Sequence, residues 1–286
     1  SFRNVTGVQT CALPIFFGLL GKRKMMPGFE NSLNVEIRNL RGVAGVVIES
    51  LKEKSVTFAW NDCQLFPAAS LIKLPIMWKV FKEIESSHLS LSQKFLIDQS
   101  NKVGGFGVLK ELHSGISLSL EDLVTLMIII SDNTATNFLI DLLGMDTINQ
   151  TIRKIGMKQT SLQRKMIDIE AKQKGLDNFT CPSDIAIFFK KLLFGQDPSC
   201  ALREKMLDIL KRQQCNNKLP LGLPKGAILA HKTGDLSGTE HDVGVLYHEN
   251  DPRAFIIVLT KDLVDNEDGI RFCQYVAREV FTELDI

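Results

Sequence analysis

The stretch "PAASLIKLPIMWKVF", from Pro67 to Phe81, places a serine and a lysine three residues apart at the start of an apolar helical pattern. Residues at positions i and i+3 share one face of a helix, so Ser70 and Lys73 are expected to project together from the first turn. A serine hydroxyl becomes a nucleophile when a base takes its proton, and a lysine whose pKa is lowered by burial is such a base. The plain alternative is a helix-capping serine beside a lysine that extends to solvent, so the pair needs further support.

The regions on either side of this stretch differ in their hydrophobic period. Before it, the short runs "VAGVVIES" and "SVTFAW" indicate a β-hairpin over residues 43–60. From Ser70 to about Gln213 the pattern is helical almost throughout, and strand patterns return in "AILAHKT", "HDVGVLYH" and "AFIIVLTKDL" before a final amphipathic helix pattern. Strands at both ends of the chain predict one antiparallel sheet that the two ends share, with the helical block packed beside it. The predicted helices of that block cover Ser70 to Glu85, Leu120 to Ile130, Thr134 to Leu143, Asp146 to Ile155, Pro182 to Phe194, and Ser199 to Arg212.

Length and composition limit the possible functions. The chain has 286 residues, 44% hydrophobic content and a formal net charge of +1, which fits one large or two modest domains. A balanced charge argues against a nucleic-acid partner, and the apolar runs are shorter than the roughly 20 residues that a membrane span needs. The cysteines lack the paired spacing of a zinc site, and His231, His241 and His248 are too widely spaced to form a metal site. We therefore expect no metal and no cofactor.

The N-terminal segment needs separate treatment. The run "VTGVQTCALPI", Val5 to Ile15, resembles the translation of a sequencing-adapter oligonucleotide, and the following "GKRKMM" resembles a translated ribosome-binding run. We therefore interpret residues 1–24 as a non-native leader and residues 25–286 as the domain, with Met25 or Met26 as the start. A short native leader is the alternative. No signal peptide is readable, so the localisation stays open.

Two further motifs follow the serine and lysine in fixed order. The triplet "SDN", Ser131 to Asn133, comes directly after the apolar run "LMIII", and "HKTG", His231 to Gly234, ends a strand pattern. Taken singly, the first is typical of a turn between helices and the second of an edge strand with a protective lysine. The predicted topology places all three motifs at the cleft between the sheet and the helical block, which is where pockets tend to lie.

The order S-x-x-K, S-D-N, K-T-G resembles the signature of class A β-lactamases and penicillin-binding proteins, a family of active-site serine hydrolases. The flanking runs "FPAASLIKLPI", "GFGVLKEL", "LEDLVTLMIIISDNTATNFLIDLLG" and "AHKTGDLSGTEHDVGVLY" are also similar to class A sequence. The resemblance covers roughly Val43 to the C-terminus. It implies an α/β fold of the β-lactamase type, a three-layer sandwich with sheet parts at about 43–66 and 226–286 and a helical part at about 70–213.

The resemblance also implies roles for the motif residues in the chemical step. Ser70 would be the nucleophile, and Lys73 a candidate base for acylation. Ser131 would relay a proton toward the leaving nitrogen. With the help of Lys73 and Ser131, Ser70 would form a covalent acyl-serine intermediate.

A second set of residues would bind the substrate. Asn133 would hydrogen-bond its acylamide side chain, and Lys232 and Thr233 would bind its carboxylate. The backbone N–H groups of Ser70 and Asp235 would form the oxyanion hole. Gly234 would leave room for the ligand along the strand.

One part of the family pattern is absent. Class A enzymes place a glutamate in an E-x-x-x-N arrangement, where it activates the water that releases the acyl group, whereas this loop reads "LQRKMIDIEAKQKGLDNFTCP". Met166 takes the place of the glutamate, and Glu170 stands where the asparagine belongs. Glu170, or else the shorter Asp168, is the candidate base, and the alternative is that both are solvated loop charges. Arg164 and Asp177 are expected to clamp the loop.

The resemblance therefore predicts a serine hydrolase that opens β-lactam rings through a covalent acyl-serine. The alternatives are a D-Ala-D-Ala-type peptidase or esterase, and a penicillin-binding sensor that is acylated and releases slowly. The expected partner is a small-molecule β-lactam or acyl-peptide, with no nucleic acid and no membrane span, and the expected state is a monomer.

Overall fold

The computed structural model describes residues 28–52 and 55–284, and in them a five-stranded antiparallel sheet is built from both ends of the chain. Strand β1 (Val43–Ser50) pairs with the last strand, β9 (Asp251–Lys261), in a register that sets Val46 opposite Val258. The predicted sheet shared by the two chain ends is therefore confirmed. The order across the sheet is β2-β1-β9-β8-β7, and its strands are β1 (Val43–Ser50), β2 (Ser55–Trp60), β7 (Ile228–Leu236), β8 (Thr239–His248) and β9 (Asp251–Lys261).

The middle of this sheet is covered on both faces. Successive side chains of a strand point to opposite faces, so an apolar run that is buried throughout requires a packed layer on each side. In β9, Phe255 and Ile257 contact one core cluster while Ile256 and Val258 contact the other. The first cluster fills the space toward the helical block, and the second lies under the helices of the opposite face.

The opposite face is covered by α1 (Phe29–Asn39) and α10 (Asn266–Leu284). Helix α1 buries Phe29, Leu33 and Ile37, which recur every four residues and form one apolar stripe. The sequence interpretation did not include this helix, because its other residues are largely polar. Together with the sheet and the helical block it completes the predicted three-layer arrangement.

The helical block lies between β2 and β7 in the chain. The predicted helix over Pro182–Phe194 has these same bounds in the structure, whereas the predicted start at Ser70 is wrong, because residues Ala69–Ile72 form a 3₁₀ turn and the α-helix begins at Lys73. Such tighter turns are frequent at helix N-termini. The helices of the block are α2 (Lys73–Glu85), α3 (Leu120–Ile129), α4 (Asn133–Leu143), α5 (Met145–Ile155), α6 (Ile169–Gln173), α7 (Pro182–Phe194), α8 (Cys200–Lys211) and α9 (Leu219–Gly222).

Two short antiparallel ribbons join loops of the block. Strands β3 (Phe66–Pro67) and β6 (Phe179–Thr180) pair just before the 3₁₀ turn, and β4 (Lys94–Ile97) pairs with β5 (Ile116–Ser119). The first ribbon attaches the segment before Ser70 to the end of the loop that contains Met166. No helix in the described residues is both long and apolar enough to cross a membrane. The leader interpretation, including Met25 and Met26, lies outside the described residues.

Candidate active site

Three segments from distant parts of the sequence meet where strand β7 lies against the 3₁₀ turn. A Cβ atom added at Gly234 would lie 3.2 Å from the Cβ of Ala69, so the strand and the turn approach each other closely. Only glycine allows this separation without displacing the turn. The S-x-x-K and K-T-G motifs are therefore neighbours across the cleft, as the topology predicted.

Lys73 connects the first motif to the second. Its side chain is fully buried, and its Nζ donates to the carbonyl oxygen of Ser131 at 2.7 Å, to the Oγ of Ser131 at 3.0 Å and to the Oδ1 of Asn133 at 3.0 Å. Ser70, three residues before Lys73, is also buried. The amine thus belongs to the residue three positions after Ser70 and is held by the S-D-N loop.

Lys232 connects the third motif to the same hydroxyl. Its Nζ donates to the Oγ of Ser131 at 3.1 Å and to the carbonyl oxygen of Thr233 at 2.8 Å, and its side chain is fully buried. The Ser131 hydroxyl therefore lies between two buried amines. The structure brings Lys73, Ser131 and Lys232 into one hydrogen-bonded cluster, beside the 3₁₀ turn that carries Ser70.

Burial and the neighbouring charge of Lys232 depress the proton affinity of Lys73, and burial depresses that of Lys232. Burial, and next the charge of Lys232, hold the pKa of Lys73 well below its usual value. Burial lowers the pKa of Lys232 to about 8. Two like charges removed from water cannot both keep their protons at low cost. Lys73 is consequently the side chain of this cluster most able to accept a proton from a hydroxyl.

The hydroxyl group of Thr233 is a second feature that indicates a binding site. Its hydroxyl oxygen is buried, and among the described residues it has no hydrogen-bond partner. Buried polar groups are almost always paired inside proteins, and an exception at a cleft is typical of a group that pairs with a ligand. This hydroxyl neighbours the Lys232 amine along the strand.

Three residues with a strained backbone lie on the segments that carry the motifs and the loop of Met166. Ala69, Ser131 and Ile167 have φ angles of +45°, +57° and +59°, in the left-handed region that residues with a side chain rarely adopt. Each such residue costs on the order of 1–3 kcal/mol and persists only where its surroundings hold it. All three lie on segments that carry predicted site residues.

Asp132, the middle residue of S-D-N, orders the loops around the cluster. One carboxylate oxygen accepts from the N–H of Ala135 at 2.9 Å and caps α4, and the other accepts from Val108 at 2.7 Å and Leu109 at 2.9 Å. The residue is almost fully buried. A single carboxylate therefore joins the S-D-N turn to the loop that precedes β5.

Met166 occupies a fixed position in the loop before β6. Its N–H donates to the Oδ1 of Asn137 at 2.8 Å, and its carbonyl oxygen accepts from the Nδ2 of Asn137 at 3.0 Å. Asn137 lies one helical turn after Asn133 on α4, a spacing that was available from the sequence but was not used. The apolar Met166 side chain is buried in the core cluster that faces the helical block.

The two candidate carboxylates of this loop lie outside the cluster. Asp168 caps the short α6, accepting from the N–H of Ala171 at 2.9 Å. The Glu170 side chain is 79% exposed and pairs with Lys174 at 2.6 Å. The side-chain hydrogen bonds that the structure describes for both carboxylates therefore stay within residues 168–174.

The predicted clamp of the loop is present. Arg164 donates from Nε to the Oδ1 of Asp177 at 2.9 Å, and a second guanidinium nitrogen lies 2.8 Å from the same oxygen. The Arg164 side chain is only 10% exposed, so this pair is better shielded than a surface ion pair. The ends of the loop are held together as expected.

Lys218 is a buried residue near the site that sequence reasoning missed. Its Nζ lies 2.7 Å from the Oδ1 of Asp235 and 2.6 Å from the Oε2 of Glu240, and it donates to the carbonyl oxygen of His241 at 3.1 Å. Burial acts to lower the pKa of Lys218, but the two carboxylates outweigh burial and hold the pKa above its usual value. This lysine neutralises the carboxylate of Asp235, directly after K-T-G.

A cavity of about 750 Å³ lies elsewhere, between β1 and α7, and contains none of the three motifs. Its polar lining includes an ion pair in which Lys190 lies 2.7 Å from the Oε2 of Glu49. Chemistry rather than volume therefore identifies the candidate site. The residues that line this cavity are Glu49, Leu51, Ile187, Lys190, Lys191, Phe194 and Gly195.

Known proteins are similar to this chain in both sequence and fold. The model of the beta-lactamase enzyme family matches residues 28–284. The beta-lactamase of Citrobacter koseri is 28% identical over 223 residues, which cover 77% of this chain and 74% of that protein. The structure of a beta-lactamase from Sphaerobacter thermophilus has a TM-score of 0.82 at 31% identity, covering 89% of this chain and 97% of that one. PBP-A has a TM-score of 0.82 at 28% identity, with 92% and 97% covered, and a mutant of PBP-A in an acyl-enzyme complex with penicillin G has the same TM-score.

The role of Asp132 in ordering the loops can be measured as stability. Asp132→Ala leaves three backbone N–H groups without their acceptor, so we expect the free energy of unfolding to fall by about 2–4 kcal/mol, measured by urea denaturation. Asp141→Ala on the same helix removes a carboxylate that is 58% exposed and should change stability by less than about 0.5 kcal/mol. Equal effects of the two substitutions would contradict the ordering role.

Proposed function

Because the chain belongs to the beta-lactamase enzyme family, we propose that it is a serine hydrolase of the β-lactamase type whose Ser70 is acylated by β-lactams. The observation that carries the proposal is the position of the Ser131 hydroxyl between the buried amines of Lys73 and Lys232. Lys73 follows Ser70 by three residues in the sequence. This arrangement supplies a base for the nucleophile and a proton route to a leaving nitrogen. PBP-A, a structural relative, forms an acyl-enzyme complex with penicillin G in mutant form, which supports a β-lactam as substrate.

In the first step, the neutral amine of Lys73 accepts the proton of the Ser70 hydroxyl. The Ser70 oxygen forms a bond to the lactam carbonyl carbon, and the electron pair of the C=O bond moves onto oxygen. When the carbonyl re-forms, the C–N bond of the ring breaks and the nitrogen takes a proton from the Ser131 hydroxyl. Lys73 then donates to Ser131 the proton that it accepted from Ser70. The lowered pKa of Lys73 supports its role in both transfers.

The remaining motif residues bind and polarise the substrate in this proposal. The N–H groups of Ser70 and Asp235 stabilise the oxyanion, with each donor typically contributing roughly 3–4 kcal/mol. Lys232 and the unpartnered hydroxyl of Thr233 bind the substrate carboxylate. Asn133 hydrogen-bonds the acylamide group, and Gly234 leaves space beside the strand.

Release of the acyl group is the step on which a second candidate function depends. Hydrolysis of an acyl-serine needs a water and a base near the ester carbon. Met166, which takes the place of the family glutamate, is buried and carries no base. This observation favours a penicillin-binding module that is acylated rapidly and releases slowly.

If the protein does hydrolyse its acyl-serine rapidly, we propose that Glu170 or Asp168 is the base. Glu170 is favoured over Asp168 because its side chain is longer. The exposed ion pair between Glu170 and Lys174 would have to break before the Glu170 carboxylate could reach the ester. In that case Glu170→Gln, or else Asp168→Asn, slows turnover after an unchanged acylation burst. A parent that turns over rapidly, with both variants unaffected, would show that another group is the base.

The first test concerns the nucleophile. After exposure to penicillin G, intact-mass spectrometry should show one adduct with the mass of the antibiotic, and peptide mapping should place it on Ser70. Ser70→Ala should form no adduct, because the substitution removes the hydroxyl that the proposal assigns as the nucleophile. An adduct on a different residue would refute the assignment.

The charge of Lys232 predicts a pH dependence of substrate binding. Because its pKa is lowered to about 8, the cation is present below pH 8 and is lost as the pH rises through this value. We expect the acylation rate of a penicillin, relative to that of its neutral methyl ester, to fall roughly 10-fold or more between pH 7 and pH 9.5. Stopped-flow measurement of both reagents gives this ratio.

The ratio removes the influence of Lys73, which acts equally on both reagents. In Lys232→Ala the ratio should be low at all pH values, with no inflection near 8. A parent ratio that is independent of pH would mean that Lys232 does not bind the carboxylate.

Met166 allows a direct test of the release step. Met166→Glu places a carboxylate at a backbone position that Asn137 already fixes, so it should accelerate deacylation by about 10²–10⁴-fold. Met166→Gln is the matched control, of the same size and without a base. Deacylation is followed by mass spectrometry as the acylated fraction decays.

The proposed slow release also predicts the behaviour of the parent. A chromogenic cephalosporin should give a burst of one equivalent followed by slow turnover. Equal deacylation rates in the glutamate and glutamine variants would show that position 166 does not face the hydrolytic water.

A further inference from the structure

His241 occupies a central position between the strand of the third motif and the turn of the first. It lies on β8 directly opposite Gly234 of β7 in the antiparallel register, and it is fully buried. A Cβ atom added at Gly234 would lie 3.1 Å from the Cδ2 of the imidazole and 3.2 Å from the Cβ of Ala69. The imidazole, the strand and the 3₁₀ turn are therefore in mutual contact.

Both ring nitrogens of His241 have partners, and these partners fix its tautomer. The backbone N–H of Thr260 donates to Nδ1 at 3.1 Å, so Nδ1 carries no proton. Nε2 then carries the proton and donates to the carbonyl oxygen of Pro67 at 2.8 Å. Burial lowers the pKa of His241 to about 4, so the ring stays neutral at neutral pH.

The carbonyl of Pro67 is the anchor point of a strained turn. Pro67 precedes Ser70 by three residues, and between them Ala69 has a φ of +45°. Phe66, next to Pro67, meets the imidazole edge-on with the ring centroids 6.4 Å apart. On the other side of the turn, the N–H of Ala68 donates to the carbonyl oxygen of Asn178 at 2.7 Å. The start of the turn is thus held on one side by the β3–β6 ribbon and the Ala68 bond, and on the other by His241.

We infer that His241 is a positioning residue that sets the separation between the two N–H groups of the oxyanion hole. One of these groups belongs to Ser70 on the turn, and the other belongs to Asp235 on the strand. His241 joins the two segments, because its backbone pairs beside the strand while its ring holds the turn through Pro67. This role rests on the proposed function, since it concerns the acylation of Ser70.

An oxyanion hole acts only when both donors lie within hydrogen-bond distance of the same oxygen. Oxyanion donors act at about 2.7–3.1 Å, and a displacement of about 1 Å by a distant substitution can cost on the order of 100-fold in rate. Ala69, with its strained backbone, has a relaxed conformation to move toward once the anchor at Pro67 is removed. Loss of the Nε2–H donor should therefore displace the Ser70 N–H from the hole.

Two substitutions separate the two hydrogen bonds of the ring. His241→Gln places an amide N–H at about the reach of Nε2, so it keeps the donor to Pro67 and loses the acceptor for Thr260. His241→Asn places an amide oxygen at about the reach of Nδ1, so it keeps the acceptor and loses the donor. Each variant lacks one buried hydrogen bond, so their stabilities should fall by similar amounts.

The experiment measures the acylation rate constant with penicillin G and with an activated aryl ester, together with the thermal midpoint of unfolding. We expect His241→Asn to be acylated roughly 10- to 100-fold more slowly than the parent, and His241→Gln to stay within about 3-fold. The noncovalent dissociation constant before acylation should be unchanged. Both reagents should be affected equally, because the hole acts on the carbonyl oxygen and not on the carboxylate.

Several outcomes would overturn the inference. Equal acylation rates of the two variants, or rates that follow their thermal midpoints, would reduce His241 to a structural residue. A loss confined to penicillin G would point to carboxylate binding instead. A parent that neither reagent acylates would refute the proposed function and this inference with it, whereas an acylated parent with two equal variants refutes this inference alone.

Discussion

The structure depends on the burial of two lysine amines against one serine hydroxyl. Lys73 and Lys232 both donate to the Oγ of Ser131, and both are fully removed from water. Burying a charge without a counterion is costly, and the protein meets this cost mainly by lowering the pKa of both amines. The lowered proton affinity that the proposed base requires is thus a product of burial, and the sheet and helical block must close around the hydroxyl to create it.

The closure gives a reason for three of the left-handed residues of the chain. Segments that bring functional groups to one point cannot all keep relaxed backbones, and the left-handed residues Ala69, Ser131 and Ile167 lie on three such segments. Side-chain bonds from other elements hold each of these segments. Lys73 binds Ser131, Asn137 binds the backbone of Met166 next to Ile167, and His241 binds the carbonyl oxygen of Pro67, two residues before Ala69. The rigid cores on both faces of the sheet provide the stability that supports this local strain.

Local pattern and motif order predicted much of this molecule. The strand over Val43–Ser50 and the helix over Pro182–Phe194 have the predicted bounds, because their apolar periods are strong and their ends are marked by polar residues or proline. The family and the fold are confirmed as well. The pairing of the two chain ends was predictable from topology, but individual side-chain contacts over long sequence separations were not, as for the bond between His241 and Pro67 across 174 positions. Lys218 was missed for the same reason, because nothing local distinguishes a lysine that is buried between two carboxylates from a solvated one.

The fold that this chain shares with its family and the chemistry that would release an acyl group are separate properties. The loop before β6 is held at its ends by Arg164 and Asp177 and at its centre by Asn137, so its framework is complete without a base at position 166. A family match and a TM-score of 0.82 therefore describe the scaffold and favour acylation, but they give no information on deacylation. Acylation uses groups from three motifs that the fold brings together, whereas release depends on whether one side chain can accept a proton from water. In the proposed function, a methionine there would change the lifetime of the acyl-serine without altering the architecture that forms it, so substrate binding and turnover have to be judged from different residues.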